Sequence, residues 1–282
     1  MVNILISGYY GFDNIGDESI LRTLVSSLRE HIPDCSLTVL SHNPASTREK
    51  YGVEAVDRMS PMAILRAVKK CDMLISGGGS LLQDVTSSKS LHYYLSIIRC
   101  AEFFHKKVFI YSQGIGPIDR PGNRRAAAAA LKRADGIVVR DERSASLLEE
   151  IGIARDKVVI TADPVIRMKK PDGDVGAEIL RKAGVSLDGR LTVGWAIRER
   201  DTDSRFVKEL LRSIQMMKDK YNAQSVLIPF HYEEDGEVCR HIAAQLPDDT
   251  AVCLNEKYLS EDMLSIIGNM DLLVGVRLHS LI

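Results

Sequence analysis

The five cysteines of this 282-residue chain are scattered, with no CxxC pair among them. Neither a zinc knuckle nor a disulfide framework is therefore written into the sequence, and the thiols read as mostly buried groups in a reducing compartment. No stretch approaches the ~20 apolar residues of a membrane span. The start, Met1 running straight into Asn3-Ile4-Leu5-Ile6, has neither the basic segment nor the long apolar core of a secretory signal. Charge imbalance is missing too. With 37 basic against 38 acidic side chains, nothing draws the whole molecule toward nucleic acid or an anionic surface. The expectation is a cytoplasmic protein without a nucleic-acid partner, whose anionic ligands are captured by local sites. A dinucleotide fingerprint is also lacking: the first glycine-rich turn is not spaced GxGxxG, and no acidic residue ends a second strand.

What is present is a globular composition, 45% hydrophobic and 27% charged, in a chain long enough to prefer two domains over one. Short apolar runs alternate with helical patterns, the signature of doubly wound α/β layers. Strands are expected at 2–7, 36–41, 72–76, 107–112, 136–140 and 157–160, and helices at 17–31, 61–70, 89–105, 121–134 and 143–151. The first helix carries Asp17 and Glu18 in its opening turn and Pro33 beyond its end. The polar run from Lys169 to Asp174 suggests a linker, 169–189, between a Rossmann-like domain at 1–168 and a second at 190–282. The second series has strands at 191–197, 224–229, 250–254 and 271–276, with helices at 203–220, 235–245 and 260–268. Its last strand runs into Arg277-Leu278-His279-Ser280-Leu281-Ile282 with no covering helix, so this domain is expected to be truncated.

Five motifs could carry chemistry. The turn Gly8-Tyr9-Tyr10-Gly11-Phe12-Asp13-Asn14-Ile15-Gly16-Asp17-Glu18 joins the first strand to the first helix, where open α/β sheets bind ligands. Ser76-Gly77-Gly78-Gly79-Ser80 follows another strand; its glycines would leave backbone amides bare, and Asp84 nearby could hold sugar or phosphate oxygens. Ser112-Gln113-Gly114-Ile115-Gly116-Pro117 offers Gln113 as donor and acceptor to a hydroxyl, though a purely structural turn explains it as well. Arg140, Arg198 and Arg277 stand at strand ends, able to fork onto carboxylate or phosphate or to make ordinary salt bridges, such as Arg140 with Asp141 or Asp163. His279 follows Arg277 by two residues and can titrate near neutrality beside an anion site, while His231 ends another strand of the same half.

In order and in kind, these residues resemble the polysaccharide pyruvyltransferase family, most of all its CsaB branch of cell-wall polymer enzymes. The resemblance rests on Gly8-Tyr9-Tyr10-Gly11 with Asn14 to Glu18, Gly77-Gly78-Gly79, Gln113 to Pro117, Val139-Arg140-Asp141, Asp163-Pro164 and Arg277-Leu278-His279-Ser280. It implies a GT-B-like fold of two Rossmann-like domains facing a cleft. It also implies phosphoenolpyruvate as co-substrate; no further cofactor is expected, and no residue is assigned to a metal. The acceptor it implies is an N-acetylmannosamine residue on a lipid-linked secondary cell-wall glycan, reached at the inner face of the membrane, and the product a pyruvyl ketal. The roles expected are His279 as general acid or base, with Arg277, Leu278, Arg140, Arg198 and His231 binding the donor. Gly8, Tyr10, Gly11, Asn14, Asp17, Gly77, Gly78, Gly79 and Gln113 would hold the acceptor. Two alternatives stay open: glycosyl transfer from a nucleotide sugar, and a non-catalytic glycan-binding module.

Overall fold

A computed structural model of the chain describes residues 1–198 and 204–282. The chain forms two compact units, one of Met1–Phe12 with Asp17–Arg167, the other of Asp13–Gly16 with Met168–Ile282.

In the first unit the strands are β1 (Val2–Tyr10), β2 (Cys35–Ser41), β3 (Glu54–Asp57), β4 (Met73–Ser76), β5 (Lys107–Gln113), β6 (Gly136–Val139) and β7 (Val158–Ile160). They lie in one parallel sheet of order β3-β2-β1-β4-β5-β6-β7. Both faces of a sheet covered by helices demand strands that are apolar on both sides. Leu5 accordingly joins one buried layer with Leu40 and Leu74, while Ile4 and Ile6 join the opposite layer with Val39 and Ile75. Strand order reverses between β1 and β4, which makes the carboxyl ends of these two neighbours the natural ligand position of the unit.

The helices here are α1 (Ile15–His31), α2 (Pro44–Tyr51), α3 (Pro61–Lys70), α4 (Ser88–Phe103), α5 (Pro121–Leu131) and α6 (Glu142–Glu150). Their starts are chemically marked. Asn43, Ser60 and Asp141 accept the backbone N–H three residues on, and Pro44, Pro61 and Pro121 open helices where no N–H is needed. Two elements, α2 and β3, were not expected from the sequence. Conversely, β1 runs on to Tyr10, so the turn after it spans only residues 11–14 and is shorter than its glycine content suggests.

The second unit has β8 (Thr192–Ala196), β9 (Gln224–Leu227), β10 (Ala251–Cys253) and β11 (Leu272–Gly275) in a parallel sheet of order β10-β9-β8-β11. Its helices are α7 (Val175–Lys182), α8 (Ser204–Tyr221), α9 (Tyr232–Ala243) and α10 (Ser260–Ile267); residue 203 of the helix expected at 203–220 lies outside the described residues. The stretch 169–189 is not a bare linker, because it contains α7. That helix packs on α10 so closely that a side chain at Gly176 would strike the backbone of Ser265, whose hydroxyl takes the Gly176 N–H at 2.9 Å. Leu180 is fully buried on the same face, which ties this segment to the core.

Candidate active site

Three strand ends of the second unit carry the charged residues of interest. Arg198 follows β8, His231 follows β9, and Arg277 with His279 follows β11. Because Gly275 is paired with Ala196, Arg198 and Arg277 each stand two residues beyond a matched pair on adjacent strands. Arg277 is held from below by Asp235 in the first turns of α9. That carboxylate is fully buried; its Oδ2 accepts Arg277 Nε at 3.1 Å and its Oδ1 accepts Arg277 Nη2. The same Oδ2 takes the backbone N–H of His231 at 2.8 Å. A two-pronged pair of this kind fixes the guanidinium plane and leaves its outer N–H groups for an anion.

His231 caps α9. Its Nδ1 accepts the Glu234 N–H at 3.4 Å, which puts the proton of the neutral ring on Nε2. His279 is half-buried in the short turn Leu278–Ser280, which is closed by the Ser280 hydroxyl donating to Arg277 O at 2.6 Å. Leu278, in contrast, is 48% exposed. The backbone of Asn14 forms a bridge with His231, Ile15 N–H donates to Phe230 O at 2.9 Å, and Gly16 lies flat against the His279 ring, where any side chain would collide. Lys257 secures the segment through Asp13 at 2.8 Å. Asn14 was expected among acceptor residues of the first domain. It belongs instead with the histidines and Arg277, because the segment Asp13–Gly16 is part of the second unit.

The first unit gathers a different set. Tyr10 lies across the carboxyl ends of β1 and β4: its ring covers Gly8, and its hydroxyl rests on Gly77, so a side chain at either glycine would displace it. That hydroxyl is buried with no hydrogen-bond partner among the described residues, and burial, reinforced by Asp17 and Glu18, drives its pKa well above the ordinary range. Gly78 packs on Ile20 and Gly79 on Asp17 of α1. The expectation of bare amides fails at Gly77, whose N–H donates to Ser7 O at 2.8 Å. Gly11, at φ 80°, would drive a side chain into Ser41 and Asn43, and its N–H is taken by the buried Glu18 carboxylate at 2.8 Å. Gln113 is fully buried; its Nε2 donates to Ser76 O and Oγ, and its Oε1 has no partner among the described residues.

Arg140 sits in this unit as well. It lies on Gly114 and is paired with Asp163 at 2.8 Å, with Ser80 at 3.0 Å and with Asp141 at 3.9 Å, so the ordinary salt-bridge reading describes it. Asp84 does not face a ligand. Its oxygens accept the N–H groups of Asp119 and Arg120 and the Asn123 amide, and these donors outweigh burial to hold its pKa below the usual carboxylate value. Two residues escaped the sequence reading. Asp235 is one. Arg58 is the other: 94% buried, it donates to Gly8 O at 2.9 Å and to the Tyr94 hydroxyl at 3.2 Å, boxed by the rings of Tyr9, Phe12, Tyr93 and Tyr94. Among the described residues no group of three or more His, Cys, Asp or Glu could hold a metal ion.

Against known proteins, residues 14–282 match the family described as polysaccharide pyruvyl transferase. The chain belongs to that family. A relative, the amylovoran biosynthesis protein AmsJ of Erwinia amylovora, is 24% identical over 239 residues, covering 70% of this chain and 57% of its own length. The chain thus spans less than two thirds of this relative. Among solved structures, HepE of Anabaena in complex with UDP-glucose aligns with a TM-score of 0.61 at 12% identity, over 97% of this chain and 73% of its own. UDP-GlcNAc 2-epimerase from Neisseria meningitidis gives 0.60 at 15%, over 98% and 78%. The ADP-heptose heptosyltransferase II of Escherichia coli gives 0.51 at 14%, again over 98% and 78%. These neighbours establish the fold, that of GT-B-type glycosyltransferases and epimerases, as the resemblance to the pyruvyltransferase family implies.

Proposed function

We propose that this polysaccharide pyruvyl transferase moves a pyruvyl group from phosphoenolpyruvate to two hydroxyls of one sugar in a lipid-linked glycan. We further infer that the sugar is N-acetylmannosamine of a secondary cell-wall polymer, modified in the cytoplasm. The observation that carries this reading is the Asp235-braced Arg277 with His279 and His231, at the carboxyl ends of β11 and β9, the two strands that flank β8 in the second sheet.

The chemistry has four steps. A proton goes to the methylene carbon of the enol phosphate. A sugar hydroxyl then attacks the adjacent carbon and releases its own proton. Phosphate leaves with the C–O electron pair, and a second hydroxyl closes the ketal and releases the last proton. Donor and diol thereby become ketal and inorganic phosphate. Arg277, with Arg198 on the adjacent strand, binds the phosphate and carboxylate of the donor. His279 delivers the first proton and accepts one from the incoming hydroxyl. Leu278 and His231 line the donor; Asp17 and the carboxyl ends of β1 and β4 in the first unit serve the acceptor.

The test is phosphate release from phosphoenolpyruvate with a synthetic N-acetylmannosaminyl-N-acetylglucosamine lipid. Acceptor-dependent release is expected. A second reading, glycosyl transfer, draws on the fold neighbour solved with UDP-glucose; uridine-nucleotide binding without acceptor-dependent phosphate release would replace pyruvyl transfer with it.

A further inference from the structure

The charge of this chain is balanced overall but not locally. Residues 58–107 hold eight Lys or Arg against three Asp or Glu, in a chain whose formal net charge is −1. Much of this excess sits on α3, with Arg66, Lys69 and Lys70, and just beyond α4, with Lys106 and Lys107. Helix α3 has no acidic residue. Its inward face is apolar: Ile64 and Ala67 pack on the core and Val68 is fully buried. Its outward stripe is Met62, Arg66, Lys69 and Lys70, spaced to fall on one side of a helix, and all are exposed. Met59 and Met62 are 68% and 60% exposed at the carboxyl-edge end of this stripe. At the other end Lys69 Nζ lies 5.2 Å from the Phe104 ring, which in turn meets Phe103 edge-on at 5.1 Å. Phe103 itself is 75% exposed. Three acids border the stripe, and each is already occupied or covered. Asp57 accepts the Met59 N–H, Asp72 is held by Asn3, and burial pushes the Glu102 carboxyl up.

Two thioethers and a phenyl ring open to solvent, beside three cations on one helix face, form the pattern of a surface that lies on a bilayer. We propose that the outward face of α3, with Phe103, is a peripheral membrane-docking surface for bilayers that carry anionic lipid. Met59, Met62 and Phe103 enter the headgroup boundary, while Arg66, Lys69 and Lys70 meet the lipid phosphates. Arg58, between β3 and Met59, reaches back to Gly8 O of β1. The methionine end therefore adjoins the strand ends at which a lipid-linked acceptor is proposed to bind. The inference stands on charge and exposure alone and does not need pyruvyl transfer to be correct.

Co-sedimentation of the full chain with vesicles, without donor or acceptor, tests it. Vesicles of phosphatidylcholine mixed with phosphatidylglycerol should retain the protein, vesicles of phosphatidylcholine alone should not, and salt should release it. Lys69→Gln with Lys70→Gln should weaken binding about thirtyfold. Met59→Ser with Met62→Ser should weaken it too. All four side chains are exposed, so melting temperatures should stay at the wild-type value. Arg181→Gln with Lys182→Gln, an equal charge change on α7, should leave binding unaltered. Failure to sediment with anionic vesicles, equal recovery on both compositions, or an α7 pair as damaging as the α3 pair would each overturn the proposal.

Discussion

Asp235 has no exposed surface, yet it grips Arg277 from 42 residues away through two guanidinium nitrogens while also accepting the His231 N–H. A helix start, a capping histidine and a strand end are thereby joined at one carboxylate. Removing one partner of a buried pair strands the other, at a cost of about 3–5 kcal/mol. Asp235→Asn should therefore lower the melting temperature and raise the KM for phosphoenolpyruvate. Asp235→Leu combined with Arg277→Met should be less destabilised than either change alone. Equal or additive losses in thermal melts would show that the pair is not coupled.

His279→Gln keeps a polar side chain in the turn after β11 but removes the imidazole. Turnover should fall by the ~10²–10⁴ typical of a general acid or base. Steady-state kinetics with the melting curve unchanged would separate this from unfolding; near-normal kcat would end the assignment.

Tyr10 and Gly77 give a packing test. Gly77→Ala pushes a methyl group onto the Tyr10 hydroxyl, and overpacking of this kind costs about 1–3 kcal/mol. Tyr10→Phe removes a buried hydroxyl that has no partner among the described residues, so it should be neutral or stabilising. The double variant should recover part of the Gly77→Ala loss. If chemical denaturation shows no recovery, the contact is not what requires glycine there.

Asp84 should make stability depend on acid. Its folded-state pKa is depressed, so its contribution is complete above the unfolded-state value and is lost as pH falls through the folded-state one. Asp84→Asn should thus melt below wild type at neutral pH, and the gap should narrow once pH drops below about 4. A gap of constant size across that range would mean the charge is not involved.

Most of the architecture was legible because its strands are short apolar runs and its longer helices are strongly periodic. Helix α2 and strand β3 were not. Pro44–Tyr51 is polar nearly all round, although Asn43-Pro44 announces its start, and Glu54–Asp57 has only Ala55 buried. The arginines and histidines at strand ends could be picked out because position after an apolar run is a local property. Asp235 could not, since its meaning lies in a residue 42 positions away. The glycines misled in a different manner. Gly8 and Gly77 were assigned to a ligand, but Tyr10 already fills the space that they leave.

The segment Asp13–Gly16 has a consequence for how this protein can be divided or inherited. Cutting after Arg167 would not release two self-sufficient modules, because the later piece would lack a four-residue strip supplied from near the beginning. Its partners there are Phe230, His231, Lys257 and His279. A C-terminal half transplanted between relatives would arrive without the strip its own histidines are fitted to. Recombination should therefore be productive only when both stretches travel together.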